Sequence, residues 1–134
     1  MKIVEIQNSS HPLKNPIQAK YCSTFLCQFR GLMFCRSLAP NEGLLLVQKR
    51  ENRSESAIHM LFMFIDLAVV WLNEVHQVVD VRFARRWRLL YAPQSPAKFV
   101  LELPVERLDE FQIGDQLQFD ETYLDSDSPF DFAI

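Results

Sequence analysis

A histidine within a strongly apolar stretch is the first residue whose chemistry stands out. His59 lies between Ile58 and Met60, near the start of the apolar residues 57–72. Because an imidazole titrates near neutral pH, His59 could act as a general base or as a ligand-binding group. The alternative is a structural histidine whose ring makes one hydrogen bond, since most buried polar groups are paired for stability alone.

A carboxylate and two arginines could complete a site around this histidine. Asp66 lies in the same apolar stretch, and an unpaired buried carboxylate is energetically expensive. Arg30 or Arg36 could supply a bidentate guanidinium partner. Two hypotheses follow. Either Asp66 and an arginine form a structural ion pair, or Arg30 and Arg36 bind a carboxylate or phosphate group that His59 faces.

Two further acidic residues have more ordinary interpretations. Glu102 alternates along a predicted strand with Leu101 and Leu103, which predicts that Glu102 faces water while its neighbours face the core. Asp115 follows Gly114, and this pair is typical of a turn whose carboxylate accepts hydrogen bonds from nearby backbone amides. The sequence contains no phosphate-binding glycine loop, nucleophile elbow or zinc-protease motif. It identifies neither a cofactor nor a metal site.

The cysteines and the hydrophobic segments indicate a cytoplasmic protein. Cys22, Cys27 and Cys35 are odd in number and lack a C-x-x-C pair, so they predict reduced, buried thiols rather than a disulfide framework or a zinc site. The first six residues, MKIVEI, carry a glutamate where a secretion signal needs an apolar run. Residues 57–72 are too short and too polar, through His59 and Asp66, to span a membrane.

The charge balance disfavours nucleic-acid binding. The formal net charge is −3, whereas phosphate binding needs clustered lysines and arginines that release counterions. The one dense basic cluster consists of Arg82, Arg85, Arg86 and Arg88, and it is predicted to lie on a solvated edge or turn. Nucleic-acid binding through these four arginines is therefore the least favoured of the functions considered.

Hydrophobic alternation predicts a succession of short strands. The predicted strands are residues 2–7, 44–47, 58–65, 67–72, 77–83, 97–103 and 116–119. A turn is predicted at residues 73–76, with His76 in a positive-φ conformation.

Two short helices are predicted between these strands. Residues 19–29 carry Phe25, Leu26 and Phe29 at helical spacing, with Ser23 or Thr24 as a cap and Gly31 after the C-terminus. The apolar face of this helix is expected to pack on the sheet. Residues 105–111 show a second short helical face.

These elements predict a mostly β (α+β) fold, built as a curled antiparallel sheet or small barrel with two short helices. The length of 134 residues argues for one domain. We expect residues 1–119 to form that β-rich domain and residues 120–134 to form an acidic, mobile C-terminal tail.

Several motifs resemble those of a known family in the same order along the chain. They are Arg30-Gly-Leu-Met-Phe34, Arg36-Ser-Leu38, Ile58-His-Met60, Val69-Val-Trp-Leu72, Val100-Leu-Glu-Leu-Pro104 and Gly114-Asp115. Together they resemble uncharacterised protein family 0127, also called domain of unknown function 192, over about residues 1–119. The resemblance implies a small, mostly β domain and implies no activity. In the family an acid falls at the position of Ala68. Two alternatives follow for this chain: Asp66 replaces that acid from the same strand face, or the family site is lost.

Two functions follow as hypotheses. The favoured one is a small β-barrel-like binding or interaction module that presents loops to a protein partner or small ligand. The alternative is a small enzyme or small-molecule binder with an anionic-ligand site formed by Arg30, Arg36, His59 and Asp66. Convergence of those four side chains in one cleft would favour the alternative, because a bound group must reach all of them within hydrogen-bond distance.

Overall fold

Seven strands and two short helices form the fold. The computed structural model describes residues 1–123. In chain order the elements are β1 (Lys2–Asn8), β2 (Ile17–Cys22), α1 (Phe25–Arg30), β3 (Glu42–Asn52), β4 (Leu67–Leu72), β5 (Val78–Ala84), β6 (Ala97–Pro104), a 3-10 helix (Val105–Glu110) and β7 (Leu117–Tyr123). The prediction of a mostly β fold with two short helices is confirmed.

The strands form one curled, mixed sheet in the order β5-β4-β6-β3-β2-β1-β7. β2 and β3 run parallel, and every other neighbouring pair is antiparallel. The predicted antiparallel sheet therefore contains one parallel pair, because the long connection through α1 returns the chain in the same direction. The edge strands approach each other at a bridge between Gln77 and Gln116, but the sheet does not close into a barrel.

Both faces of the sheet are covered. All six residues of β4 are buried, as a strand with two covered faces requires. On the concave face the largest buried side chains include Ile6, Ile17, Leu45, Leu72, Leu101 and Leu103, which we call the inner cluster. On the convex face they include Leu32, Leu44, Met60, Leu67 and Trp71, which together with the buried Val100 we call the outer cluster.

The outer cluster is closed by a covering layer rather than by another strand. This covering layer consists of residues 53–66. The strand predicted at 58–65 within it is absent, so that prediction is wrong. Ile58 forms a single bridge with Tyr91, and Phe62 adopts a positive φ of 59°. The stretch is apolar because Ile58, Met60 and Met63 pack onto the convex face, which hydrophobicity alone does not distinguish from a strand.

The predicted helix is shorter than expected and its packing is different. Residues 19–22 belong to β2, and the helix begins after Thr24, whose Oγ1 accepts a hydrogen bond from the Cys27 amide at 3.2 Å. Gly31 ends it with a φ of 48°, as the sequence predicts. No residue of α1 is buried. The expectation that its apolar face packs on the sheet is wrong, and Phe25, Leu26 and Phe29 are exposed.

The predicted state of the cysteines is also wrong for two of the three. Cys22 and Cys27 form a disulfide with their Cα atoms 5.7 Å apart, within the range that the bond geometry allows. Their five-residue separation connects the end of β2 to α1. Cys35 is a buried free thiol, and burial raises its pKa above the usual value.

The predictions for the turn at residues 73–76 and for the C-terminal tail at residues 120–134 have different outcomes. His76 has a φ of 64°, which confirms the predicted turn conformation. β7 continues to Tyr123, so the first four residues of the predicted tail, 120–123, form part of this strand. The remainder of that predicted tail, residues 124–134, lies outside the described residues.

Candidate functional site

The four residues singled out from the sequence fall into two pairs. Arg30 and His59 line one cavity, which we call the Glu102 cavity after the acid at its base. Arg36 and Asp66 line a second cavity, which we call the Asp66 cavity. Neither cavity contains all four side chains. Each pair is therefore described by itself.

The Glu102 cavity lies between the end of α1, the covering layer and β6. Its volume is about 60 Å³, which is room for a few water molecules and far less than the ~300–1,000 Å³ of a drug-sized pocket. Leu46, Ile58 and Met63 contribute apolar wall. The polar groups that face this space therefore have little solvent to interact with.

Glu102 is buried, contrary to the expectation that it faces water. Its strand alternation was predicted correctly, since Leu101 and Leu103 belong to the inner cluster. The opposite face is covered as well, so only 5% of Glu102 is exposed. Its Oε1 atom has no hydrogen-bond partner within residues 1–123. Burial raises the pKa of the Glu102 carboxyl from 4.5 to about 7, because a low-dielectric surrounding disfavours the charged form.

His59 faces the same cavity and is held by the helix. Its Nε2 lies 2.9 Å from the carbonyl oxygen of Phe29, and the Phe29 and His59 rings are 5.4 Å apart between centroids. The other ring nitrogen, Nδ1, is buried without a partner among the described residues. His59 thus makes the one ring hydrogen bond that the structural alternative predicts, and its second nitrogen is unsatisfied.

Gly31 allows α1 to end directly against this cavity. A Cβ atom at position 31 would lie 3.5 Å from Oε1 of Glu102. The positive φ of Gly31 is inexpensive only without a side chain. Gly31 therefore lets the chain turn close to the buried carboxylate while leaving the space beside it open.

Asp66 forms the structural ion pair that the sequence allowed, although with another arginine. Its Oδ1 lies 3.3 Å from Nε of Arg86 and accepts the Arg86 backbone amide at 2.8 Å. Asp66 precedes β4, whereas Ala68 is buried in the inner cluster. The expectation that Asp66 replaces a family acid from the same strand face is therefore wrong. Around this pair, the Asp66 cavity has a volume of about 370 Å³.

A cluster of exposed aromatic rings adjoins the Asp66 cavity and was missed by sequence reasoning. It consists of Phe34, Phe62, Phe64 and Trp87, which are 55%, 45%, 40% and 50% exposed. We call it the aromatic cluster. Its ring centroids are 5.4–6.4 Å apart in four contacting pairs, the separation of favourable aromatic pairs. The four residues come from three separate stretches, so no local periodicity reveals them.

The backbone of these aromatic residues is strained, and hydrogen bonds join the segments to which they belong. Phe34, Phe62 and Trp87 have φ values of 65°, 59° and 68°. The Phe34 amide donates to the Phe62 carbonyl at 2.9 Å, and the Trp87 amide donates to the Met60 carbonyl at 2.8 Å. Hydrogen bonds thus hold three bulky residues in a conformation that normally favours glycine.

The predicted basic cluster is partly neutralised. Arg82 pairs with Asp80 at 3.2 Å, Arg86 pairs with Asp66, and the Arg88 guanidinium lies 5.0 Å from the Tyr91 ring centroid. These contacts reduce the charge that the cluster offers to a phosphate backbone.

Residues 1–123 contain neither a metal-binding cluster nor a membrane-spanning helix. No group of three or more histidine, cysteine or acidic side chains is arranged to hold a metal ion in this part of the chain. Over the same residues, none of the helices has the length and apolar character required to cross a lipid bilayer.

Comparison of the fold with solved structures gives two similar proteins. A protein of unknown function from Novosphingobium aromaticivorans is 20% identical with a TM-score of 0.74, and the alignment covers 87% of this chain and 83% of that one. A protein from Sinorhizobium meliloti, whose description proposes transcription regulation, is 19% identical with a TM-score of 0.77, covering 89% and 94%. At these identities the similarity establishes the fold alone.

Sequence comparison identifies the family. UPF0127 proteins from Thermococcus gammatolerans and Pyrococcus furiosus are 41% and 34% identical over 101 and 106 residues. The alignments cover 74% and 77% of this chain and 64% and 87% of the relatives, so the chain spans slightly less than two thirds of the Thermococcus protein. The family model described as DUF192, Uncharacterized ACR, matches residues 4–119. The chain therefore belongs to the UPF0127 (DUF192) family, for which no specific activity is established.

Proposed function

We propose that this protein is a binding module that engages an apolar segment of a partner protein through the aromatic cluster. One observation supports this most directly: four large rings are exposed side by side on a hydrogen-bonded scaffold. Contiguous exposed apolar patches are typical of interaction sites. Aromatic residues in particular are enriched at the centres of protein interfaces, where they dominate the binding free energy.

The backbone strain supports a functional role for these rings. A non-glycine residue in the left-handed region costs of order 1–3 kcal/mol, and Phe34, Phe62 and Trp87 all adopt it. Glycine or asparagine would satisfy the same backbone at lower energy. Retaining bulky aromatic side chains at three such positions is understandable if their exposed faces are used for contact.

The charges around the cluster define the partner chemistry. Arg85, Arg86 and Arg88 flank Trp87 in the sequence, and Arg36 lines the adjoining Asp66 cavity. Of these, Arg86 is already paired with Asp66. An apolar segment flanked by acidic residues would place its hydrophobic side chains on the rings and its carboxylates near the remaining guanidinium groups, which improves association rate and orientation.

Nucleic-acid binding is the competing use of the same surface. Exposed rings beside arginines can stack unpaired bases, and the Sinorhizobium protein of similar fold has a description that proposes transcription regulation. The net charge of −3 and the ion pairs of Arg82 and Arg86 favour a protein partner instead. A single-stranded oligonucleotide therefore belongs in the binding test.

Each cavity contains two of the four residues of the small-molecule alternative. Arg30 and His59 together line the Glu102 cavity, whose volume of about 60 Å³ limits it to a very small ligand. The predicted anionic ligand is disfavoured, because an anion would be repelled by Glu102 whenever that carboxyl is ionised. A cytoplasmic location stays a prediction, and the Cys22–Cys27 disulfide does not favour it, since stable disulfides are rare in the cytosol outside hyperthermophiles.

A peptide-display selection with a matched counter-selection tests the proposed function. Peptides are selected on the full chain and depleted on the Phe62→Asn/Trp87→Asn double variant, since asparagine tolerates the positive φ of both positions. Val75→Asn changes an exposed apolar residue outside the aromatic cluster and is the control. Isothermal titration calorimetry compares the affinities of the parent chain and both variants. In the parent chain and in Val75→Asn, the emission of the exposed Trp87 also responds to binding, whereas Trp71 is fully buried.

We expect peptides rich in apolar and acidic residues that shift the emission of Trp87 to shorter wavelength. The double variant should bind them at least tenfold more weakly, while Val75→Asn should stay within twofold of the parent chain. Equal binding by the double variant would refute the proposal. So would tighter binding of an oligothymidine with a steep salt dependence, which would assign the surface to nucleic acid.

A further inference from the structure

Two buried hydrogen-bonding atoms face the Glu102 cavity without partners in residues 1–123. They are Oε1 of Glu102 and Nδ1 of His59, and both residues line the same cavity. Most buried polar side-chain atoms in proteins are hydrogen-bonded, because leaving one unsatisfied costs about 1–3 kcal/mol. Two such atoms beside one cavity therefore indicate that something within it interacts with both.

The hydrogen bond of His59 fixes what its free nitrogen can do. Nε2 lies 2.9 Å from the Phe29 carbonyl oxygen, and a carbonyl only accepts hydrogen bonds, so Nε2 must carry the proton. In the neutral imidazole, Nδ1 is then an acceptor. The ionised carboxylate of Glu102 is likewise an acceptor only. Above the pKa of Glu102, which is about 7, the cavity thus presents two acceptors and calls for a group with at least two hydrogen-bond donors.

The charge and size of the cavity further restrict which donor group can bind there. Besides His59 and Glu102, Arg30 and Glu55 are the titratable residues that line it, and Glu55 lies 3.7 Å from Arg50. Arg30 and Glu55 are exposed, so solvent screens their charges and the buried carboxylate is the dominant local charge. A volume of about 60 Å³ admits only a small head group.

We propose that the Glu102 cavity binds the ammonium group of a primary amine, with Glu102 and His59 as its two acceptors. A primary ammonium carries three donors and one positive charge, so it satisfies both orphan atoms and neutralises the carboxylate. The Phe29 ring, in contact with His59, offers an aromatic face to the cation. The ammonium belongs either to a free small amine or to a lysine side chain reaching into the cavity.

The burial of Glu102 is consistent with this assignment. Its pKa of about 7 means that the carboxyl is ionised at slightly alkaline pH, where a cation would stabilise it. Bound ammonium should therefore lower the pKa of Glu102, because a nearby opposite charge favours the ionised form. A bridging water molecule would satisfy the same atoms without a charge, and adding an amine would then leave the pKa of Glu102 unchanged.

The test uses methylammonium chloride with the full chain at pH 8. Tetramethylammonium chloride at the same concentration is the matched control, since it has the same charge and no N–H donor. Binding is measured from the rise in Tm with concentration and from the ¹³C NMR titration of the Glu102 carboxyl. Nα-acetyl-lysine amide provides a second amine, which distinguishes a lysine side chain from a free small amine.

We expect methylammonium to raise Tm with saturation and tetramethylammonium to leave it unchanged. Glu102→Gln should weaken methylammonium binding at least tenfold, whereas Glu106→Gln, an exposed carboxylate at the Asp66 cavity, should not change it. In the unmodified chain, methylammonium should lower the pKa of Glu102, a result independent of how any variant folds. Binding of the lysine derivative with similar affinity would assign the site to lysine side chains, and its failure would assign it to free amines.

Three results would overturn the ammonium site. The first is an equal effect of the two ammonium salts on Tm, and the second is an equal response of Glu102→Gln and the parent chain. The third is an unchanged pKa of Glu102 at high methylammonium concentration, as a bridging water would give. None of them affects binding of apolar peptides to the aromatic cluster, so failure here is distinguishable from failure of the proposed function.

Discussion

Glu102 connects the stability of the fold to pH. In the unfolded chain its pKa is near 4.5, and in the folded protein it is about 7. Between these values the folded state holds a proton that the unfolded state has released. Stability therefore falls as pH rises through this window, and the difference corresponds to something on the order of 3 kcal/mol.

We predict that Glu102→Gln removes this loss of stability. As pH rises from 5 to 8.5, the urea midpoint of the parent chain should decrease relative to that of the variant, because glutamine does not ionise. His76 acts in the opposite direction, since burial lowers its pKa and its contribution rises with pH. His76 is present in both chains, so the difference between their urea midpoints reports the contribution of Glu102. A constant difference across this pH range would contradict the prediction.

Arg107 shows how a single side chain supports the 3-10 helix. It is buried and forms an ion pair with Glu110. Its guanidinium also donates to the carbonyl of Pro40 at 2.9 Å and to that of Asn15 at 2.8 Å. One residue therefore connects this helix to the loops that precede β2 and β3, and it satisfies carbonyls that no strand pairs.

We predict that Arg107→Met destabilises the protein by about 3 kcal/mol, because it removes the buried partner of the partly exposed Glu110 and leaves the two carbonyls without their donor. Urea unfolding monitored by circular dichroism provides the measurement. The control is Arg85→Met, which changes an exposed arginine and should alter stability by no more than about 0.5 kcal/mol. Similar midpoints for the two variants would show that Arg107 does not perform this role.

The strands were predictable where periodicity reports burial directly. β1, β4, β5 and β6 lie close to their predicted positions, since alternating or continuous apolar runs follow from one or two covered faces. The backbone conformation of residues 58–65, within the covering layer, could not be predicted from periodicity. Its apolar side chains pack on a sheet while its backbone turns, and hydrophobicity alone carries no information about backbone direction.

The candidate site could be predicted only in part, because it depends on contacts between residues that are distant in the sequence. His59 and Arg30 were recognised from their types, and their shared cavity could not be derived, because it requires α1 to end over the convex face of β6. Glu102 was placed on the correct face by alternation, but its burial depends on the covering layer. The Cys22–Cys27 disulfide was missed because the five-residue spacing matches no common framework.

At the scale of the whole molecule, the two hydrophobic clusters share the same strands. Leu101 of β6 belongs to the inner cluster and Val100, its neighbour, belongs to the outer one. The covering layer is joined to the sheet by the indole of Trp71, whose Nε1 donates to the Ser56 carbonyl at 2.8 Å. Losing either cluster would expose one face of the same central strands, so the two faces should unfold together.

We predict one cooperative unfolding transition for residues on both faces. Trp71 fluorescence reports the outer cluster, and the methyl NMR signals of Val78 report the inner one. Leu101→Ala in the inner cluster and Met60→Ala in the covering layer should each cost about 2–5 kcal/mol. Each should lower the urea midpoint of both reporters equally. If Met60→Ala shifted the Trp71 transition alone, the covering layer would be a separately unfolding flap, and its aromatic cluster would lack the rigid support that the proposed binding surface requires.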